Sequence, residues 1–289
     1  MPADQPIKKV INVAGNPPCK VLVGDCREIM PLMPPQSFDL IVADPPFNIG
    51  EPYSEWRDSL SGRDYREFTN QWLDGCIRLL SPRGSFWVNC PNEIAARIVV
   101  YSEDCGLVLA DWCIWHYRFG QWKDSGFIKS KTHALHFVRD RKCSIWNPDE
   151  VLVPSDRASK YGDSRTDGTS NPGRRVPLDV WGVDTAFDPD YPGDGSYWGR
   201  VQGNSRERQP LHSNQLPEKY LERVIRSTSN VDSAVFTPFV GSGTELTVAR
   251  ALGRSCVGIE IGESEADSAV GRILRGAVRL GKLDEDKRA

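Results

Sequence analysis

The tetrapeptide Asp44-Pro45-Pro46-Phe47 is the stretch best suited to chemistry. It follows an apolar run from Phe38 to Ala43, so a strand delivers a carboxylate, two prolines and an aromatic ring at its end. Each proline fixes its own φ and pushes the residue before it towards extended geometry. The pair also removes two backbone N–H groups while keeping the carbonyls as acceptors. The product is a stiff, acceptor-rich lip beside a flat ring, which suits an exocyclic amino group with two N–H donors and a plane to stack. An isolated Asp-Pro usually starts a turn. Pro46 and Phe47 after an apolar strand make a site the better account.

A second constellation lies at 234–260. A short strand, Ala234-Val235-Phe236, leads into Thr237-Pro238-Phe239-Val240-Gly241-Ser242-Gly243-Thr244, then a helix and the strand Cys256–Glu260. Glycines let a loop pass close to a ligand, and an acid about 20 residues on can grip a ribose diol. Glu260 stands nineteen residues after Gly241. A phosphate-binding loop needs Gly-Lys-Ser/Thr, but Gly243 is followed by Thr244 and Glu245. The dinucleotide fingerprint needs a third glycine where this chain has Leu246. A nucleoside without a pyrophosphate fits best, and S-adenosylmethionine is such a ligand. The competing account is a glycine turn that serves packing alone.

The elements that must position these groups follow an α/β rhythm. Strands are expected at 20–23, 38–43, 85–90, 107–117, 132–139, 234–236 and 256–260. Tyr65, Phe68, Trp72, Cys76 and Leu79 recur at helical spacing, with Ser81-Pro82-Arg83-Gly84 as the stop. Further helices are expected from Asn92 as cap to about 102, from Pro217, over 245–252 and over 264–280. The first dozen residues read as an arm without periodicity, and 48–62 as a loop over the site. Residues 146–211 break the rhythm with Pro, Gly, Ser, Asp and Arg. Their aromatics, including Trp146, Tyr161, Trp181, Phe187, Tyr191, Tyr197 and Trp198, disfavour plain disorder.

The pairing of Asp44-Pro45-Pro46-Phe47 with the later Pro238–Thr244 loop resembles the amino-group DNA methyltransferases, in the order of their permuted β group. His212-Ser213-Asn214-Gln215-Leu216-Pro217-Glu218, Leu252-Gly253-Arg254 with Gly258-Ile259-Glu260, and Gly24-Asp25-Cys26 are similar to further family elements. The resemblance covers roughly 20–140 and 211–275. It implies a Rossmann-like methyltransferase fold with a mixed seven-stranded sheet. The catalytic half would span 1–145, a target-recognition insertion 146–211, and the cofactor half 212–289. It implies Asp44, Pro45, Pro46 and Phe47 as catalytic. Asp25, Cys26, Asp44, Gln215, Thr237, Phe239, Gly241, Ser242, Gly243, Thr244 and Glu260 would bind S-adenosylmethionine. The family usually has Asp where this chain has Thr237, which can hydrogen-bond but carries no charge.

The substrate implied is the N6 amino group of adenine in double-stranded DNA, because the first residue of the tetrapeptide is Asp rather than Ser. Cytosine-N4 is the alternative. A protein or RNA methyltransferase and a non-catalytic DNA-binding relative are weaker ones. The resemblance also admits a homodimer and a cognate restriction nuclease as partners.

Composition sets the outer bounds. The net charge of −3 does not by itself favour nucleic acid, but its distribution is segregated. Between Arg118 and Lys142 there are seven basic residues against two acids, and a basic stripe can meet a polyanion despite an acidic total. Arg118, Lys123, Lys129, Lys131, Arg174 and Arg175 are the candidate DNA contacts. The eight cysteines are scattered, with no C-x-x-C pair. That points away from a zinc site and a disulfide framework, and towards reduced thiols in a cytoplasmic protein. His133 and His136, at i and i+3 of a strand, would lie on opposite faces, so no metal site is expected. No apolar run is long enough to span a bilayer and no signal-peptide core is seen at the N-terminus, so no membrane association is expected.

Overall fold

The computed structural model describes residues 5–117, 122, 124–155, 162, 164, 170–182, 199–202, 205–210, 212 and 214–280. In chain order the elements begin with β1 (Lys9–Val13), β2 (Cys19–Val23), α1 (Cys26–Ile29) and β3 (Phe38–Ala43). There follow α2 (Gly62–Leu79), β4 (Leu80–Cys90), α3 (Asn92–Asp104), β5 (Val108–His116) and β6 (Lys131–Val138). Two-residue strands β7 (Val153–Pro154), β8 (Arg174–Arg175) and β9 (Val180–Trp181) lie in the middle region. The chain continues with α4 (Glu218–Thr228), β10 (Ala234–Thr237), α5 (Thr244–Ala251), β11 (Ser255–Glu260) and α6 (Glu263–Arg275).

One sheet organises them, in the order β1-β2-β11-β10-β3-β4-β6-β5-β9. The seven strands expected from sequence are its centre; the structure adds one strand at each edge. Strand β1 is the supposed arm, paired antiparallel to β2 from Lys9↔Val23 to Val13↔Cys19. Its half-exposed alternation is too short to stand out in sequence, and the neighbouring strand supplies the ladder. Strand β9 runs parallel to β5 through Ile114↔Val180 and Trp115↔Trp181, so part of the 146–211 insertion joins the main sheet.

The central strands are parallel, β2 through β4, and read as continuous apolar runs because both faces are covered. Strand β3 shows it: Phe38, Ile41 and Ala43 pack on one face with α1, α2 and α3, while Leu40 and Val42 pack on the other with α4, α5 and α6. Helix α2 presents Tyr65, Phe68, Trp72, Cys76 and Leu79 to the core, as its spacing predicts. Burying each such large side chain contributes about 1.5–3 kcal/mol. Ser81-Pro82-Arg83-Gly84 does not form a loop after α2 but opens β4. A register shift, from Phe38↔Leu80 to Leu40↔Ser85, takes up the extra residues and accommodates Pro82. Two helix ends also differ from expectation. Pro91 rather than Asn92 is the N-cap of α3, and α6 stops at Arg275, where Gly276 takes a positive φ of 82°.

All eight cysteines are free and six are buried. No helix of the described residues is long and apolar enough to cross a membrane.

Candidate active site

Strands β3 and β10 are neighbours, with Val235↔Leu40 and Phe236↔Ile41 in register. Their carboxyl ends therefore deliver Asp44-Pro45-Pro46-Phe47 and the Pro238–Gly243 loop side by side, outside the edge where open α/β sheets bind ligands. A cavity of about 340 Å³ opens there, lined by Asp44 and Pro46, by Pro238, Phe239, Gly241 and Ser242, and by Gly24, Asp25, Cys26, Gln215 and Glu260. Two segments about 195 residues apart in sequence thus form one wall.

Asp44 is partly exposed at the cavity wall. Burial of its carboxyl holds it well above the ordinary carboxylate range; the nearby Glu245 carboxylate pushes the same way and the Asn89 side chain opposes. Asn89 accepts a hydrogen bond from the buried Tyr220 hydroxyl at Oδ1, while its Nδ2 has no hydrogen-bond partner among the described residues. The Pro46 carbonyl accepts from Tyr65 Oη at 3.0 Å. That leaves the Asp44 carboxylate and the Pro45 carbonyl as the lip's acceptors. Pro45 is buried and Phe47 half-buried; neither lines the cavity itself.

On the opposite wall Asp25 caps α1, accepting from the Arg27 amide at 2.9 Å and from Arg27 Nε at 3.0 Å. Burial works against the ionised form, but these hydrogen bonds outweigh it and hold the Asp25 carboxyl below its usual range. The Cys26 thiol is buried and pushed up by that burial. Glu260 accepts from the Gly241 amide at 2.7 Å and the Gly262 amide at 3.2 Å; burial nonetheless raises its carboxyl. Gln215 is spent locally, accepting from the Gln209 amide at 3.1 Å and donating to the Glu207 carbonyl at 2.8 Å.

The two loop glycines do different work. Gly241, at φ 47°, faces open space, whereas a Cβ on Gly243, at φ 74°, would stand 3.0 Å from Ala269 of α6. Gly241 thus leaves room for a ligand and Gly243 lets α6 pack. Ser242 and Thr244 share a hydroxyl hydrogen bond of 2.8 Å and both accept from Arg272, which pairs with Glu218 at 3.0 Å. Thr237 is fully buried, its hydroxyl donating to the Phe239 carbonyl at 3.3 Å, and it does not line the cavity. Gly243 and Thr244 do not line it either.

Residues 48–61 form the loop expected over the site. Tyr53, Ser54 and Trp56 line the cavity, and Trp56 packs on Phe68 with ring centroids 4.5 Å apart. Glu245, Asn89 and Asp58 carry no signal in the sequence: by local pattern Glu245 is an ordinary first-turn helix residue, Asn89 part of a strand and Asp58 a polar loop residue.

The candidate DNA contacts are scattered. Cys90↔His133 and Ile114↔His133 place the β5–β6 connection at the same sheet edge as the cavity. Lys131 opens β6 there, and Lys129 pairs with Glu93. Trp122 and Phe127 of this connection are 81% and 97% exposed. Arg174 donates to the Leu152 carbonyl at 2.6 Å and Arg175 to the Val176 carbonyl at 3.2 Å. Arg118 and Lys123 lie outside the described residues, as do Tyr161, Phe187, Tyr191, Tyr197, Trp198 and Ser213.

A DNA methylase family model matches residues 38–271, and the chain belongs to this family of S-adenosylmethionine-dependent amino-methyltransferases. Among its relatives, the type II methyltransferase M.ScaI of Streptomyces caespitosus is 33% identical over 89% of this chain and 82% of its own. M.HpaI of Haemophilus parainfluenzae is 30% identical over 82% of this chain and 68% of its own. The fold is similar to that of the cytosine-N4-specific PvuII DNA methyltransferase, at a TM-score of 0.65 and 15% identity, covering 94% of this chain and 97% of that one. It is also similar to the M1.HpyAVI–SAM complex, at 0.56 and 18%, covering 88% and 99%.

The cavity suits the family's cofactor. Its described lining carries seven carboxylates, from Asp25, Asp44, Glu51, Glu55, Glu245, Glu260 and Glu265, against one guanidinium from Arg208. That balance favours a cationic ligand and disfavours a phosphorylated one. Phe239 and Trp56 offer apolar surface for a purine.

Proposed function

We propose that the chain transfers a methyl group from S-adenosylmethionine to the N6 amino group of adenine in double-stranded DNA. The observation that carries this reading is the meeting of Asp44-Pro45-Pro46-Phe47 and the Pro238–Gly243 loop at one cavity. When bound, the cofactor supplies an electrophilic methyl group. Asp25 and Glu260 would hold its nucleoside part, with Gly241 leaving the close approach.

An amino group inside a duplex is out of reach, so the target base must leave the stack, at a cost of a few kcal/mol. Phe47 would return about 1–3 kcal/mol by stacking. Asp44 and the Pro45 carbonyl would accept the two amino hydrogens and aim the nitrogen lone pair, which is mostly a positioning effect. A carboxyl held above its ordinary range by burial also readily takes the proton that the methylated nitrogen sheds. The exposed Trp122 and Phe127 and the basic Lys129 and Lys131, on the cavity's own edge, support this edge as the DNA face. Phosphate contacts there would position the duplex, and base contacts would specify the site.

Cytosine-N4 is the second reading, favoured by the PvuII likeness. Mass spectrometry of nucleosides from DNA treated with the protein separates the two. The expected product is N6-methyladenine, absent with Asp44→Ala although that variant still retains DNA. N4-methylcytosine would replace the first reading with the second, and an active alanine variant would remove Asp44 from the mechanism. The type II relatives support a restriction–modification setting with a cognate nuclease, and a homodimer is compatible with it.

A further inference from the structure

Glu245 is the second residue of α5, 4% exposed, and it lines the cavity. No side chain of the described residues hydrogen-bonds or ion-pairs with its carboxylate; the polar group beside it is its own backbone amide. Unpaired buried carboxylates are costly, and their retention in a cavity marks a functional group.

The groups facing it come from three elements. Asp44 at the end of β3 is a like charge, and Tyr220 of α4 is neutral. Arg272 of α6 acts only from a distance, its donors being committed to Glu218, Ser242 and Thr244. Of the other lining acids, Glu55 is exposed to solvent and four have partners of their own. Asp25 has Arg27, Glu260 has two glycine amides, Glu265 has Ser54 and Ser264, and Glu51 accepts from Asn214. Thr237, at the head of the glycine loop, is uncharged and turned away from the cavity.

We propose that Glu245 is the counter-charge for the α-ammonium group of the cofactor's methionyl part, supplying from the first turn of α5 the charge that position 237 lacks. Burial pushes the Glu245 carboxyl up to about 7, with its own amide and then Arg272 opposing. Pairing with an ammonium group restores the ionised form, so binding near pH 7 releases a fraction of a proton. The inference deepens the cofactor reading above and does not depend on which base is methylated.

Calorimetric titration of the full chain with two ligands tests it. S-adenosylhomocysteine carries the ammonium without the sulfonium, and 5′-methylthioadenosine lacks the amino-acid part altogether. Glu245→Gln should weaken S-adenosylhomocysteine by about 30-fold or more, the scale for losing one partner of a buried charge pair. It should leave 5′-methylthioadenosine nearly unchanged. Proton release, read from the dependence of binding heat on buffer ionisation, should disappear in the same variant, and Glu245→Asp should recover part of the affinity. Equal losses for both ligands, or an unchanged affinity for S-adenosylhomocysteine, would overturn the assignment. A wild-type chain that binds neither ligand would instead remove the cofactor reading itself, and this assignment with it.

Discussion

At the scale of single residues, Asp44 and Glu245 line one cavity wall, and the Glu245 carboxylate disfavours ionisation of Asp44. The folded protein holds the Glu245 proton more tightly than the unfolded chain does, because burial moves it from 4.5 to about 7. Stability then declines as pH rises through that window and levels off above it; below about pH 4.5 the penalty is absent. Glu245→Gln removes it. The variant is expected to be more stable than wild type by roughly 3 kcal/mol at pH 8, with the gain vanishing near pH 4.5. Urea unfolding at the two pH values measures this, and a Gln variant destabilised at pH 8 would contradict the unpaired state of Glu245. A residue whose loss stabilises the fold while weakening ligand binding is the mark of a group kept for function.

At the scale of elements, the loop over the site is ordered by one buried acid. Asp58 is 3% exposed and accepts from the amides of Asn48 at 2.8 Å, Ile49 at 2.9 Å and Glu51 at 3.1 Å. Asn48, at a left-handed φ of 57°, exchanges hydrogen bonds with the Leu60 backbone and closes the loop's base. Ser54 reaches Glu265 of α6 at 2.7 Å, and Asn214 reaches Glu51 at 2.8 Å, so the loop spans the cavity mouth. Asp58→Ala orphans three amides, each worth about 1–3 kcal/mol when left unsatisfied. Amide exchange across 48–61 should quicken strongly in that variant and cofactor binding should weaken, while core amides of β3 and β10 keep most of their protection. Unchanged exchange in the loop would mean that other contacts hold it.

At the scale of the whole molecule, the order of the chain and the order of the sheet disagree. Strands β10 and β11, from the last third of the sequence, sit between β2 and β3 from the first. Leu40 and Val42 of β3 are buried only because α4, α5 and α6 cover that face. The catalytic and cofactor halves expected of one methyltransferase domain share this sheet and this core. Residues 1–211 and 212–289 expressed apart should each lack a cooperative thermal transition. The intact chain should show a single one by calorimetry and circular dichroism alike, whereas a folded 1–211 fragment would contradict this interdependence.

Much of this was legible in the sequence, for identifiable reasons. Continuous apolar runs mark buried parallel strands. Helical spacing marks α2, and the motif residues Asp44, Pro45, Pro46, Gly241 and Gly243 announce themselves because few other residue types can do what those backbone positions require. Local pattern failed where a neighbour decides the outcome. Strand β1 exists because β2 offers its edge, and Ser81–Gly84 extends β4 because β3 absorbs a register shift. The roles of the charged groups were out of reach as well. Whether a carboxylate is paired depends on side chains brought together from β3, α4, α5 and α6. Only the tertiary structure shows that Thr237 turns inward, that Asp58 is spent on the loop, and that Glu245 stands unpaired beside Asp44 at the cavity wall.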